Sequence, residues 1–235
     1  MQTTLFKALQ LLLALFIITF VHESGHYLWA RLFRMKIDRF QIFCFTVLGW
    51  TSRRSGTRYG IGWLPLGGFC IIPDLHISWA PWKKALVLSG GAINNMLLAF
   101  VLFTVISWIS IPAISYNAHE AAGQGMTMLS NGIRNYSLPT GSSGLISFAG
   151  VFSDTWNWLR FWRITACCSI SMAIVNLLPI PGLDGGHLLL LAIERVVGHP
   201  LKERLRITLS MLGLGLIMAL IVYGNCNDLI AIVSK

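Results

Sequence analysis

The sequence contains few charged residues. Of its 235 residues, 11% are Asp, Glu, Lys or Arg, while 55% are hydrophobic. The charged fraction is about half that of an ordinary soluble domain. This shortage excludes an ordinary soluble globular protein and predicts an integral membrane protein. At this length, with so much apolar sequence, we predict a single domain over residues 1–235.

The sequence also has no C-x-x-C pair and no clustered basic face. The five cysteines are odd in number and form no C-x-x-C pair, which argues against a disulfide framework or a thiolate metal site. The net charge is +9, but the basic residues lie in short connections rather than on a face interleaved with aromatic side chains. We therefore predict no nucleic-acid partner and interpret these residues as cytoplasmic loop charges.

Long apolar runs dominate the rest of the chain. Crossing about 30 Å of hydrocarbon takes roughly 20 helical residues. Four segments qualify, at about residues 5–33, 85–111, 164–190 and 207–224. We predict an all-α polytopic membrane protein with about four transmembrane helices. The first run continues into His22 without a small-residue cleavage site, so we expect it to be retained rather than removed as a signal peptide.

Two segments depart from the simple helical pattern. Residues 176–186 read NLLPIPGLDGG, and their prolines and glycines predict a break in the third span. Broken helices at membrane depth usually line a cavity. Residues 60–72 are too rich in glycine and proline for a spanning helix, and they predict a small membrane-associated β-hairpin.

The distribution of charge predicts the orientation in the membrane. Basic residues concentrate in the first connection, about 34–84, and in the third, about 195–206, whereas 112–160 has little charge. The positive-inside rule places the first and third connections in the cytoplasm. Both termini are then predicted to be extracytoplasmic.

The sharpest motif is His22-Glu23-Ser24-Gly25-His26, which matches H-E-x-x-H within an apolar helical segment. Positions i and i+4 share one helix face, so both imidazoles can reach one zinc ion. Glu23 is placed to take a proton from water attacking a peptide carbonyl. An ionised group in an apolar span costs about 2.5–3.5 kcal/mol, which argues against a chance match.

A catalytic zinc ion needs a third protein ligand and an exchangeable position. Asp184 is the best candidate, because it follows the predicted helix break and the other carboxylates lie in loops or near segment ends. We predict one Zn²⁺ per chain. His187 is interpreted as a structural residue or a partner of a ligand rather than as a ligand. His76, His119 and His199 have no ligand spacing around them.

Four sequence elements together resemble the site-2 protease family of intramembrane zinc metalloproteases. They are HESGH at 22–26, PLGG at 65–68, a small-residue turn at 89–94 similar to AGPxxN, and NLLPIPGLDGG at 176–186. Gly91 stands where relatives have the proline of AGPxxN. The connection at 112–160 is too short for the PDZ module of many relatives, so the resemblance is to a compact form.

The resemblance implies the same zinc ligands, His22, His26 and Asp184, with Glu23 as the catalytic acid and base. It further implies substrate-binding roles, which fall on Asn176, Gly67, Gly68 and Asn94.

By the same resemblance, the 60–72 hairpin pairs with an unwound substrate strand. The implied function is endopeptidase cleavage of a transmembrane or membrane-anchored protein, in the lipid bilayer of the bacterial cytoplasmic membrane.

The sequence argues against two other function classes. A catalytically silent membrane receptor or scaffold has no need of Glu23, so the intact motif argues against it. A membrane oxidoreductase with histidine boxes needs several His-rich clusters, and this chain offers one. The sequence predicts neither the substrate nor the oligomeric state.

Overall fold

The computed structural model describes residues 2–73, 79–110, 126–127, 152 and 155–233. This part of the chain is mainly helical, as predicted. Its elements are α1 (Gln2–Leu32), β1 (Arg39–Thr51), β2 (Arg58–Ile71), α2 (Pro81–Ser110), α3 (Trp158–Leu177), α4 (Asp184–Val197) and α5 (Glu203–Val233). Most of the charge-poor connection at 112–160, together with His76 and His119, lies outside the described residues.

Within the described residues, three helices are long and apolar enough to cross a membrane. They are Leu5–Leu32, Pro81–Ile109 and Trp158–Leu177. At about 1.5 Å per residue, even 20 residues extend roughly 30 Å, the thickness of the hydrocarbon core. The prediction of a polytopic membrane protein is confirmed at this level. The predicted fourth span, 207–224, lies within α5 but is not among these three, so it stays a prediction.

The predicted third span contains two helices. α3 ends at Leu177 and α4 begins at Asp184. Between them the chain turns through Gly182, whose φ of 95° suits glycine. A Cβ on Gly185 would lie 2.3 Å from the carbonyl oxygen of Leu177, so only glycine permits this close backbone approach. That the two helices form one membrane crossing stays a prediction.

The β-structure is larger than the predicted hairpin at 60–72. β2 covers that segment, but its partner is β1, with the connection at 52–57. Residues 39–42 pair in parallel with 58–61 and antiparallel with 68–71. Residues 46–51 pair antiparallel with the beginning of β2. The hairpin prediction was therefore too short, because it missed β1.

A bend explains why β1 was missed. Phe43 and Phe45 have φ values of 64° and 58°, which non-glycine residues rarely adopt. The bend interrupts the alternation of side chains between the two faces, and that alternation is the main sequence signal of a strand. The two halves of β1 can then pair with different parts of β2.

The predicted small-residue turn at 89–94 is wrong, since these residues lie inside the continuous helix α2. The glycines serve a helix crossing instead. A Cβ on Gly25 of α1 would lie 2.1 Å from the carbonyl oxygen of Gly90, so the two backbones are in direct contact there. Small residues permit such close crossings between helices of membrane proteins.

The chain divides into two compact units. One comprises Leu15–Asn95 and Met172–Gly213 and is called the site unit here, because it contains every predicted site residue. Its apolar core includes Ala30, Met35 and Val87. The other unit comprises Met1–Ala14, Met96–Ser171 and Leu214–Lys235. It contains an aromatic cluster at the start of α3, formed by Trp156, Trp158, Phe161 and Trp162. The single domain over 1–235 stays a prediction.

Candidate metal centre and active site

The H-E-x-x-H motif lies in the C-terminal half of α1, where its three ionisable side chains are buried. They are His22, Glu23 and His26. Because α1 is continuous here, the four-residue spacing places both imidazoles on one face. Their Nε2 atoms lie 3.2 Å apart. The predicted pair of ligands is therefore brought together by local helical geometry.

Asp184 is brought to the same point by α4, of which it is the first residue. Its Oδ2 atom lies 3.1 Å from His22 Nε2 and 3.3 Å from His26 Nε2. The three atoms thus form a nearly equilateral triangle. Among the described residues, these three make the one group of His, Cys, Asp or Glu side chains with the proximity a metal ion needs.

The size of this triangle fits zinc. Tetrahedral zinc with ligand bonds of roughly 2.0–2.1 Å holds its ligand atoms about 3.3–3.4 Å apart. The observed separations of 3.1–3.3 Å match that spacing closely. Two imidazoles and one carboxylate also form the usual ligand set of a catalytic zinc site, which leaves one coordination position for exchange.

The hydrogen bonding around the triangle also favours a cation. His26 Nδ1 donates to the carbonyl oxygen of Val87 at 2.7 Å, so the neutral ring has its lone pair on Nε2. Asp184 Oδ2 is buried, and no hydrogen-bond partner for it is found among the described residues. Buried acceptor atoms that converge without donors are costly unless a cation binds them.

Gly91 of α2 makes room for the two rings. A Cβ there would lie 2.5 Å from His22 Cε1 and 2.6 Å from His26 Nε2. In the sequence, Gly91 is notable only because it replaces the proline of the AGPxxN motif. The structure gives it a spatial role, because any larger side chain would collide with both imidazoles.

Glu23 lies between the triangle and the sheet. A Cβ on Gly68 would lie 2.9 Å from Glu23 Cγ and 2.6 Å from the carbonyl oxygen of Gln41. The end of β2 therefore passes directly over the carboxylate. Residues 68–71 pair with 39–42 on one side, and no strand partner for their other edge is found among the described residues. A strand edge thus runs beside the buried carboxylate.

Residues 10–220 match the family model of Peptidase family M50. The match covers most of the chain and includes both His22 and Asp184. The chain belongs to peptidase family M50. This is the site-2 protease family that the HESGH and LDGG motifs resemble, so the recognition made from these motifs is confirmed.

Several curated relatives of this M50 peptidase are bacterial. Zinc metalloprotease RasP of Bacillus licheniformis is 30% identical over 125 residues, 51% of this chain and 30% of the relative. Protease RseP of Yersinia pestis is 31% identical over 127 residues, 48% of this chain and 28% of the relative. A Campylobacter jejuni protein named as a zinc metalloprotease is 23% identical, with 98% of this chain and 96% of the relative aligned.

The chain aligns with very different shares of these relatives. The M50 peptidase spans less than a third of the RasP and RseP relatives, although it spans nearly all of the Campylobacter protein. Family membership places the chain among the M50 peptidases. Its three apolar helices and its bacterial relatives indicate an integral protein of a bacterial membrane.

Not every predicted site residue of the M50 peptidase lies at the triangle. The amide of Asn94 lies 3.5 Å from the carbonyl oxygen of Val21, on the backbone of α1. Gly67 has a φ of 76°, and no atom lies within 4 Å of the position that a Cβ would occupy. Asn176 is partly buried in the last turn of α3. His187 lies outside the ligand group and lines a small cavity with Glu194.

One neighbour of the triangle was missed by sequence reasoning. Asn95 is fully buried, and its side-chain amide lies 3.3 Å from His22 Nδ1. The motif resemblance pointed to Asn94, one residue earlier. The available signal was helical spacing, because residues 87, 91 and 95 share one face of α2 and all three approach the imidazoles.

Cys70 does not compete as a ligand. Burial, followed by the nearby Glu23 charge, raises the pKa of its thiol to about 12. Its sulfur atom also lies outside the ligand group, which among the described residues comprises His22, His26 and Asp184. This agrees with the interpretation of the cysteines as small apolar residues.

Proposed function

We propose that this M50 peptidase is an intramembrane endopeptidase. It holds one zinc ion through His22, His26 and Asp184, and it hydrolyses a peptide bond in a transmembrane or membrane-anchored protein. The observation that carries the proposal is the buried triangle of three acceptor atoms, 3.1–3.3 Å apart, beside the Glu23 carboxylate in an apolar helix.

The residues divide the chemistry between them. When bound, zinc supplies Lewis acidity, which acidifies water and polarises the scissile carbonyl. Glu23 takes the proton of the attacking water on its carboxylate and then donates it to the amine nitrogen that leaves. Burial of Glu23 keeps bulk water away from this proton transfer.

The substrate is proposed to bind as a strand. A transmembrane helix hides its amides in internal hydrogen bonds, so it must unwind locally before a peptide bond can be attacked. The edge at residues 68–71 offers backbone groups for strand addition beside Glu23. Gly67, Gly68, Asn94 and Asn176 are proposed to position this unwound segment.

The membrane arrangement is proposed to have four spans. The first two are α1 and α2, the third is α3 with α4 across the break at 178–183, and the fourth is α5. The basic connections around Arg53 and Arg204 then face the cytoplasm, and both termini lie outside the bacterial cytoplasmic membrane.

The direct test compares wild type with Glu23→Gln, using Glu203→Gln on the exposed start of α5 as the matched control. Purified proteins are assayed for zinc content and for cleavage of a single-span model substrate in detergent. We expect Glu23→Gln to retain zinc and to cut at least about 100-fold more slowly, since positioned proton transfer contributes roughly 10²–10⁴-fold. Glu203→Gln should match wild type.

Three results would oppose the proposal in different ways. Wild type without zinc contradicts the metal site. Cleavage by Glu23→Gln at the wild-type rate contradicts the role of that carboxylate. Zinc in wild type, without cleavage of any substrate in a broad panel, favours a receptor or scaffold that keeps the fold.

A further inference from the structure

Both imidazoles of the triangle use their second ring nitrogen to contact α2. His26 Nδ1 donates to the carbonyl oxygen of Val87 at 2.7 Å. His22 Nδ1 lies 3.3 Å from the side-chain nitrogen Nδ2 of Asn95, a residue that is completely buried. A histidine that binds zinc commonly donates its other N–H to an acceptor, which fixes the tautomer and the ring orientation.

The chemistry of His22 decides which end of the amide faces it. Its Nε2 atom points into the triangle, so zinc binding requires the lone pair there and the proton on Nδ1. The partner of Nδ1 must then be an acceptor. The nitrogen and oxygen of an Asn amide occupy nearly equivalent positions, and the hydrogen-bond network decides between them. Rotating the amide by 180° exchanges its nitrogen for its carbonyl oxygen at this position, and that orientation completes the bond.

We infer that Asn95 is a positioning residue for His22. Its carbonyl oxygen accepts the Nδ1–H bond, holds the imidazole in the tautomer that presents Nε2 to zinc, and fixes the ring plane. The inference rests on the proposed zinc site and deepens it, because it assigns the residue that prepares one ligand for the metal.

The arrangement of α2 supports this role. Val87, Gly91 and Asn95 follow one another at four-residue intervals and so share one helix face. The first accepts from His26, the second leaves space for both rings, and the third meets His22. The Gly25–Gly90 crossing holds this face against α1. One helix face therefore orients both histidine ligands.

The test separates an acceptor from a mere space filler. Asn95→Asp keeps an oxygen acceptor, whereas Asn95→Leu has similar size and none. Thr104→Val, which removes a partly buried hydroxyl elsewhere on α2, is the control. Zinc affinity is measured on the purified full chain by competition with a chromophoric chelator. We expect Asn95→Leu to weaken zinc binding by about 10–100-fold, with Asn95→Asp and Thr104→Val close to wild type.

The possible results separate the role of Asn95 from the proposed zinc-peptidase function. The inference is overturned if Asn95→Asp and Asn95→Leu weaken zinc binding equally, or if Asn95→Leu does not weaken it. In either case, zinc bound by wild type still supports the proposed function. Wild type that binds no zinc overturns the proposed function instead.

A second measurement needs no variant at position 95. In ¹⁵N-histidine spectra of the zinc-loaded wild type, His22 should have a protonated Nδ1 and a metal-bound Nε2. Zinc bound to His22 through Nδ1 would overturn the inference even if Asn95→Leu did not fold.

Discussion

At the scale of single residues, what could be predicted depended on distance along the chain. His22, Glu23 and His26 were predictable because one helix fixes their spacing, and α1 keeps them buried together. Asp184 was predicted by comparing the carboxylates along the chain with the position of the helix break, and the family resemblance implied the same residue. Asn95 was not predicted, because its contact with His22 depends on how two helices pack.

The ligand assignment makes a residue-scale prediction. Asp184→Asn replaces a charged oxygen ligand with a neutral amide, and it should weaken zinc binding more than about 100-fold, beyond the usual effect of residues that only support ligands. His187→Gln should keep one zinc per chain, because His187 lies outside the triangle. Metal content after dialysis against a weak chelator measures both. Loss of zinc from His187→Gln alone would reverse the two assignments.

At the scale of elements, the helices were easier to predict than the sheet or the helix contacts. Apolar length predicted α1 and α2, since a spanning helix satisfies its own backbone hydrogen bonds. β1 was missed because Phe43 and Phe45 bend it and disturb its alternation. The glycines at 90 and 91 suggested a turn, whereas their purpose is close contact with α1, which local sequence does not reveal.

A buried ion pair ties α4, which carries Asp184, to the start of α5. Glu194 accepts from Arg206 and from the backbone amide of Leu201, and both charged side chains are mostly buried. Arg206→Met leaves the Glu194 carboxylate buried without its cation. We expect this variant to lose about 3–5 kcal/mol of stability, measured by thermal or denaturant unfolding in detergent.

The matched variant for this pair is Glu194→Leu combined with Arg206→Met. Removing both charges avoids the uncompensated carboxylate, so the double variant should be more stable than Arg206→Met alone. If the double variant is no more stable than Arg206→Met, the stability lost in Arg206→Met does not come from the unpaired charge of Glu194.

At the scale of the whole molecule, charge asymmetry makes a prediction about topology. Tags at the two termini should be reached by protease from outside the cytoplasmic membrane, while a tag inserted in the exposed connection at Gly56 should be reached only from the cytoplasm. Intact spheroplasts and inside-out vesicles give the two views. Termini on opposite sides of the membrane would contradict the four-span arrangement.

Composition predicted the membrane class at this scale, because a chain with 55% hydrophobic and 11% charged residues has too little polar surface for a soluble domain. It did not predict the division into two compact units, since such contacts join residues far apart in sequence. Composition does not predict the substrate either, because specificity depends on the shape and polar groups of a binding site.

The most direct test of the central claim is the position of the scissile bond. Wild type and Glu23→Gln are reconstituted in liposomes with a single-span substrate, and the products are mapped by mass spectrometry. The account predicts cleavage within the apolar membrane segment by wild type, inhibition by a zinc chelator with recovery on adding zinc, and no product from Glu23→Gln. Cleavage confined to the soluble part of the substrate, or undiminished in Glu23→Gln, would contradict it.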